Sequence, residues 1–107
     1  MKLVHVALAA RSEEHADTFY GRILGLEKGV PKTLPRELVQ AVFGLDQELT
    51  VINYTGEDIL FEVFLGLQAP SGPPRVDHVC LQAPDLEAFL EKCREHQAPV
   101  NRVPKGE

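Results

Sequence analysis

The sequence has no tryptophan, only two cysteines, and no cluster of lysine and arginine. Cys80 and Cys93 do not form a C-x-x-C pair, which removes the usual zinc-ribbon and dithiol redox readings. They are expected to be reduced thiols of a cytosolic protein. Basic residues number 11 against 16 acidic ones, for a net charge of −5. Binding a phosphate backbone needs clustered Lys and Arg, so nucleic acid is not an expected partner. An anionic membrane surface needs the same cluster and is excluded with it. No apolar run reaches the roughly 18–20 residues that cross a bilayer. The opening apolar run is short and is broken by His5, unlike a secretory leader. The expected location is therefore cytoplasmic. A phosphate-binding glycine loop and a recognisable Ser/His/Asp signature are also missing.

What remains is one small domain of 107 residues in which 44% are hydrophobic, enough to build a core. Lys2 to Ala10 reads as a strand, with Val4, Val6 and Leu8 on one face and Leu3, His5 and Ala7 on the other. Both faces are largely apolar, so both are expected to be covered. Ser12 to Leu24 reads as a helix. Ser12 suits the N-cap, Ala16, Phe19, Tyr20, Ile23 and Leu24 form an inward stripe, and Gly25 ends it. Leu26 to Lys32 is a short strand interrupted by Pro31, and Leu34 to Phe43 a short helix closed by Gly44. Gln47 to Tyr54 and Asp58 to Leu65 form a hairpin about a turn at Thr55-Gly56-Glu57.

Gln68 to Pro74, with three prolines, is a linker. A strand from Arg75 to Gln82 follows, then a helix from an Asp85 N-cap to about His96, with Leu86, Phe89, Leu90 and Cys93 inward. The chain thus divides into a first module (1–67), the linker (68–74) and a partial second module (75–107). The two modules begin alike: His5-Val6-Ala7-Leu8 matches His78-Val79-Cys80-Leu81, and Ser12 matches Asp85 at the same offset. Repeated modules often share a site at their junction. The second module has room for only one more short strand. The sequence is therefore expected to lack the C-terminal end of the natural protein.

Glu62 stands inside Ile59-Leu60-Phe61-Glu62-Val63-Phe64-Leu65. A buried carboxylate without a partner is costly, so this one needs a cation, a metal or open water. A strand histidine alone, such as His5 or His78, is more often a hydrogen-bonded core residue than a ligand. Together, His5, Glu62 and His78 make a donor set suited to Zn, Ni, Co or Mn, and three protein ligands leave positions open for substrate. His15 and His96 lie on polar helix faces. Cys80 follows His78 by two residues, a spacing that strand alternation explains without a catalytic role.

The opening strand with His5, then Phe19-Tyr20 and Ile23-Leu24-Gly25-Leu26, resembles the start of a vicinal-oxygen-chelate domain. Asp77-His78-Val79, followed by the Asp85 helix, resembles the start of its second module. The superfamily includes glyoxalase I, methylmalonyl-CoA epimerase, extradiol dioxygenases and bleomycin-resistance proteins. The resemblance implies an α+β fold of two βαβββ modules, a curved mixed sheet around a central cleft, here with the second module incomplete at its C-terminus. It implies His5, Glu62 and His78 as metal ligands, with a fourth ligand from a strand beyond Glu107. The implied reaction is that of a metal-dependent isomerase or lyase. It chelates vicinal oxygens of a small-molecule substrate and stabilises an enediolate, with Glu62 as a candidate catalytic base. A homodimer is also implied.

The same comparison argues against glutathione. Glyoxalase I places an Arg and an Asn where this chain has Ala9 and Gly66, so the glutathione carboxylate loses its charge-assisted partner. Methylmalonyl-CoA epimerases usually carry Gln at the second ligand position, so Glu62 leans away from them. The alternatives are a metal-free, antibiotic-sequestering binding module and an Fe-dependent extradiol dioxygenase. The latter orders its ligands His, His, Glu rather than His, Glu, His.

Overall fold

A computed structural model describes residues 3–67, 79 and 81–102. The chain divides into two compact units, Met1–Pro70 and Ser71–Glu107. The first is a mixed α+β unit built on a five-stranded sheet. In chain order it holds β1 (Val6–Ala9), α1 (Glu13–Ala16) running into a π-helical segment (Asp17–Ile23), β2 (Glu27–Lys28), β3 (Lys32–Leu34), α2 (Arg36–Phe43), β4 (Leu49–Thr55) and β5 (Leu60–Leu65).

The sheet order is β1-β5-β4-β2, and β3 also pairs with β4. β1 runs parallel to β5, and the other pairings are antiparallel. β2 and β3 lie against different parts of the same strand and act as one strand broken by Gly29-Val30-Pro31. A proline that cannot donate to the ladder explains the break. This is a βαβββ module with α2 inserted before the third strand position. The sheet is open rather than closed.

β1 begins later than the sequence suggests: its ladder with β5 starts at Val6↔Phe61, and Leu3, Val4 and His5 precede it outside the strand. Its two faces also differ. Val6, Leu8 and Ala10 pack against the core, whereas Leu3, Val4, His5, Ala7 and Ala9 are exposed. Within the described residues of the first unit, a covering layer is present on one face of β1.

The first helix starts where the sequence places it, and Ser12 Oγ accepts from the His15 N–H at 3.1 Å. Its second part then winds more widely, with the Leu24 N–H donating to the Phe19 carbonyl at 2.9 Å. The wider turn spoils an α-helical stripe. Ala16, Tyr20 and Ile23 are buried, but Phe19 is turned out to 40% exposure, contrary to expectation. The Tyr20 ring lies 5.2 Å from Tyr54 and 5.3 Å from Phe61, between centroids. Together with Ile52, Val63 and Ala16 these rings form the main core. A second cluster, Val39, Leu49, Val51 and Phe64, lies under α2. Gly44 ends α2 at φ 72°, a left-handed cap that glycine adopts without strain.

In the second unit, α3 spans Leu86–Glu95, and the Asp85 side chain accepts from the Ala88 N–H at 3.1 Å. Ser12 and Asp85, equivalent in the sequence repeat, thus make the same cap bond. Cys93 is buried, and Phe89 and Leu90 are half-buried, but Leu86 is 53% exposed rather than inward. As the first helical residue, it lies at the edge of the stripe. The linker, His78 and Cys80 lie outside the described residues, as does most of the expected 75–82 strand. Val79, Leu81 and Gln82, which are described, are not in a strand. No helix among the described residues is long and apolar enough to cross a membrane.

Candidate active site on the open face of the sheet

The pairing register decides which side chains share a face. Ala7 and Asn53 flank Glu62 on the two neighbouring strands. Side chains alternate along each strand, so His5, Ala7, Asn53, Leu60 and Glu62 share one face. α1 and the π-helical segment cover the other. At one end of the His5 face, α2 closes over Phe64 and Val51, and the Phe43 ring packs edge-on against Phe64 at 5.3 Å. Among the described residues of the first unit, nothing covers the rest of that face.

His5 Nε2 and Glu62 Oε1 are 3.1 Å apart, with side chains 42% and 29% exposed. The carboxylate is therefore not enclosed in apolar surroundings, and no charged side chain is buried among the described residues. The apolar run around Glu62 arises because Phe61 and Val63 serve the core and Phe64 serves the α2 cluster. Glu62 itself faces water and the imidazole. The expected cost of burial thus overstates the enclosure of Glu62.

This pair fits two positions of one metal site. Donors that bind a single ion at about 2.0–2.2 Å lie roughly 3 Å from each other. One imidazole nitrogen and one carboxylate oxygen suit the borderline divalent metals. Among the described residues, no third His, Cys, Asp or Glu completes a cluster with them. The remaining sequence-derived ligand, His78, lies outside the described residues.

The opposite face shows what a structural polar group looks like in this fold. The Tyr54 hydroxyl donates to Asp17 Oδ1 at 2.8 Å. Lys28 Nζ bridges Asp17 and Glu13, at 3.0 and 2.6 Å. Burial would raise the Asp17 pKa, but the Tyr54 and Lys28 hydrogen bonds prevail and hold it below the ordinary carboxylate value. Burial, reinforced by Asp17, pushes the Tyr54 phenol well above its usual range. This network pins the first helix to β4 and β2. His15 is exposed on α1 and takes no part in the site, as expected from its polar helix face.

No family model matches the chain. In sequence it is similar to the mitochondrial methylmalonyl-CoA epimerase of Bos taurus, with 29% identity over 101 residues covering 92% of this chain and 56% of that protein. The chain thus spans about half the length of this curated relative. In fold it is similar to a glyoxalase-family protein from Bacillus cereus, with a TM-score of 0.66 at 15% identity, covering 90% of this chain and 72% of that one. A second solved structure, that of SMU.1112c, gives a TM-score of 0.57 at 21% identity, covering 100% and 84%. The sequence likeness is thus to an epimerase, and the fold is that of a glyoxalase-family protein. The epimerase likeness runs against the lean drawn from Glu62, which rested on one ligand position where the similarity spans most of the chain.

The structure brings together His5 and Glu62, two of the sequence-derived candidates, and places on the same face Asn53, which was not among them. The missing signal was register. The β4–β5 loop is longer than the expected three-residue turn, since Thr55 pairs with Leu60. Only that register places the amide beside the carboxylate.

Proposed function

We propose that this protein is a metal-dependent isomerase of the glyoxalase/epimerase type. In this reading it moves a proton at a carbon next to a carbonyl in a small oxygen-bearing substrate. The observation that carries the reading is the 3.1 Å approach of His5 Nε2 to Glu62 Oε1 on the open face of the sheet. The epimerase likeness in sequence supports the reaction class.

His5 and Glu62 would hold the metal, with His78 as the further ligand that the sequence resemblance implies and Zn, Ni, Co and Mn as the candidates. When bound, the metal supplies Lewis-acid polarisation of neighbouring substrate oxygens. His5, just before β1, would contribute an imidazole nitrogen donor. Glu62 is the catalytic base: its carboxylate takes the proton from carbon, a role worth about 10²–10⁴-fold in such sites. Leu60 and Ala7, on the same face, give the reacting carbon an apolar floor. Ala9 and Gly66 offer nothing to a glutathione carboxylate, so the hemithioacetal of methylglyoxal and glutathione is not the substrate. The protein works as a cytoplasmic homodimer.

The test is solvent deuterium exchange at C2 of methylmalonyl-CoA, followed by NMR with each of the four metals. Exchange that requires metal and disappears in Glu62→Gln is the expected result. A protein that shows no exchange with any metal, yet still binds small ligands without one, would overturn the proposal in favour of a sequestering module.

A further inference from the structure

We infer that Asn53 is a substrate-binding residue, whose side-chain N–H₂ holds the substrate oxygen that gains negative charge as the proton leaves. The inference rests on the proposed isomerase reading and goes beyond it.

Asn is a poor strand residue, yet Asn53 sits at the middle of β4 among Val51, Ile52 and Tyr54. Its neighbours on the core face are buried, whereas Asn53 is half-exposed on the His5 face. It pairs directly with Glu62 across β4–β5. Side chains of such pairs stand about 4.5–5.5 Å apart at Cβ, so the amide and the carboxylate border one space. Among the described residues no hydrogen bond engages the Asn53 side chain. Its own network does not explain it, in contrast to Tyr54, the next residue, whose hydroxyl is bound to Asp17.

Its backbone is held firmly. β5 pairs with β4 on one side, and on the other the Gly29 N–H donates to the Asn53 carbonyl at 2.7 Å. A Cβ at position 29 would lie 3.3 Å from that oxygen, so glycine permits the approach. A polar group on a strand fixed from both sides is well placed for recognition. Glu62 brings negative charge to the site, and a second acceptor would repel an oxygen gaining charge. An amide instead offers a neutral donor there, the arrangement that stabilises developing oxyanions.

Oxalate, a planar pair of charged vicinal oxygens, is the probe. Calorimetric titration of oxalate into the Zn²⁺-loaded full chain is compared with Asn53→Val and Asn53→Asp, alongside zinc affinity and thermal melting. Valine favours the strand and removes the donor, and aspartate keeps the shape while reversing the polarity. The expected result is oxalate binding about 10- to 100-fold weaker in Asn53→Val, with zinc affinity unchanged in that variant, and weaker still in Asn53→Asp. Oxalate affinity equal to wild type in Asn53→Val overturns the role of Asn53 alone. A wild-type chain that takes no zinc, or takes zinc but no oxalate, overturns the isomerase reading and this inference with it.

Discussion

On one face of the sheet, Phe61, Val63, Ile52 and Tyr54 are closed over by the first helix, and the polar groups there are paired. On the other, one residue away along the same strands, His5, Glu62 and Asn53 stand partly in water. Period-2 alternation puts both arrangements on the same few strands. The covered face contributes stability, and its Asp17–Tyr54 bond has a structural task. On the other face the cluster under α2 contributes stability, whereas the exposed His5 and Glu62 contribute little, and in the proposed reading they serve binding. In this fold, polarity counts as a functional signal only once the local partners have been traced.

Substitutions should separate the two faces. The largest effect is expected on the open one: Glu62→Gln should lower the exchange rate about 10³-fold. Its stability should change by less than about 1 kcal/mol, because the His5 pairing is half in water. Urea melts of that variant check the second half. Next comes Phe61→Ala, one residue along, which should cost about 3–5 kcal/mol by opening the core around Tyr20. An enzyme rate that fell more than stability in Phe61→Ala, or the reverse in Glu62→Gln, would erase the distinction.

A smaller effect belongs to Tyr54→Phe, which should cost about 1.5 kcal/mol after allowing for the partial exposure of Asp17. Its pH dependence has a definite sign. The Asp17 pKa is depressed in the folded state, so its contribution is present above the ordinary carboxylate range. It is lost as pH falls through the depressed value. The Tyr54 phenol is raised, so its contribution is complete below about pH 10 and is lost as pH rises through the folded-state value. Melts of wild type and Tyr54→Phe from pH 3 to 8, on the order of the carboxylate range and above, should draw closer toward the acid end. The smallest effect is expected at the end of α2. Gly44→Ala should cost about 1 kcal/mol, because φ there is 72°.

Much of this was legible in the sequence because alternation and caps are local. The β4–β5 hairpin, the Pro31 break and the Ser12 and Asp85 caps all follow from residue types close in the chain. His5 and Glu62 were legible for a related reason: polar residues in apolar strands are conspicuous. What escaped was set by longer-range geometry. The π-helical turn that exposes Phe19 has no reliable local signature. Whether the His5 face of β1 is covered depends on a second layer that composition does not report. Asn53 became visible only through the register of a loop whose length the turn residues did not determine. His78 carries the remaining ligand assignment on sequence alone.

The central claim is that His5 and Glu62 bind one ion together. Calorimetric titration of Zn²⁺ and Co²⁺ into the wild-type chain, His5→Ala, Glu62→Gln and the control His15→Ala tests it most directly. About one ion per chain should bind in wild type and in His15→Ala, with affinity at least about 10²-fold weaker when either His5 or Glu62 is replaced. Unchanged metal affinity in His5→Ala, or no metal bound by the wild-type chain, would contradict the account.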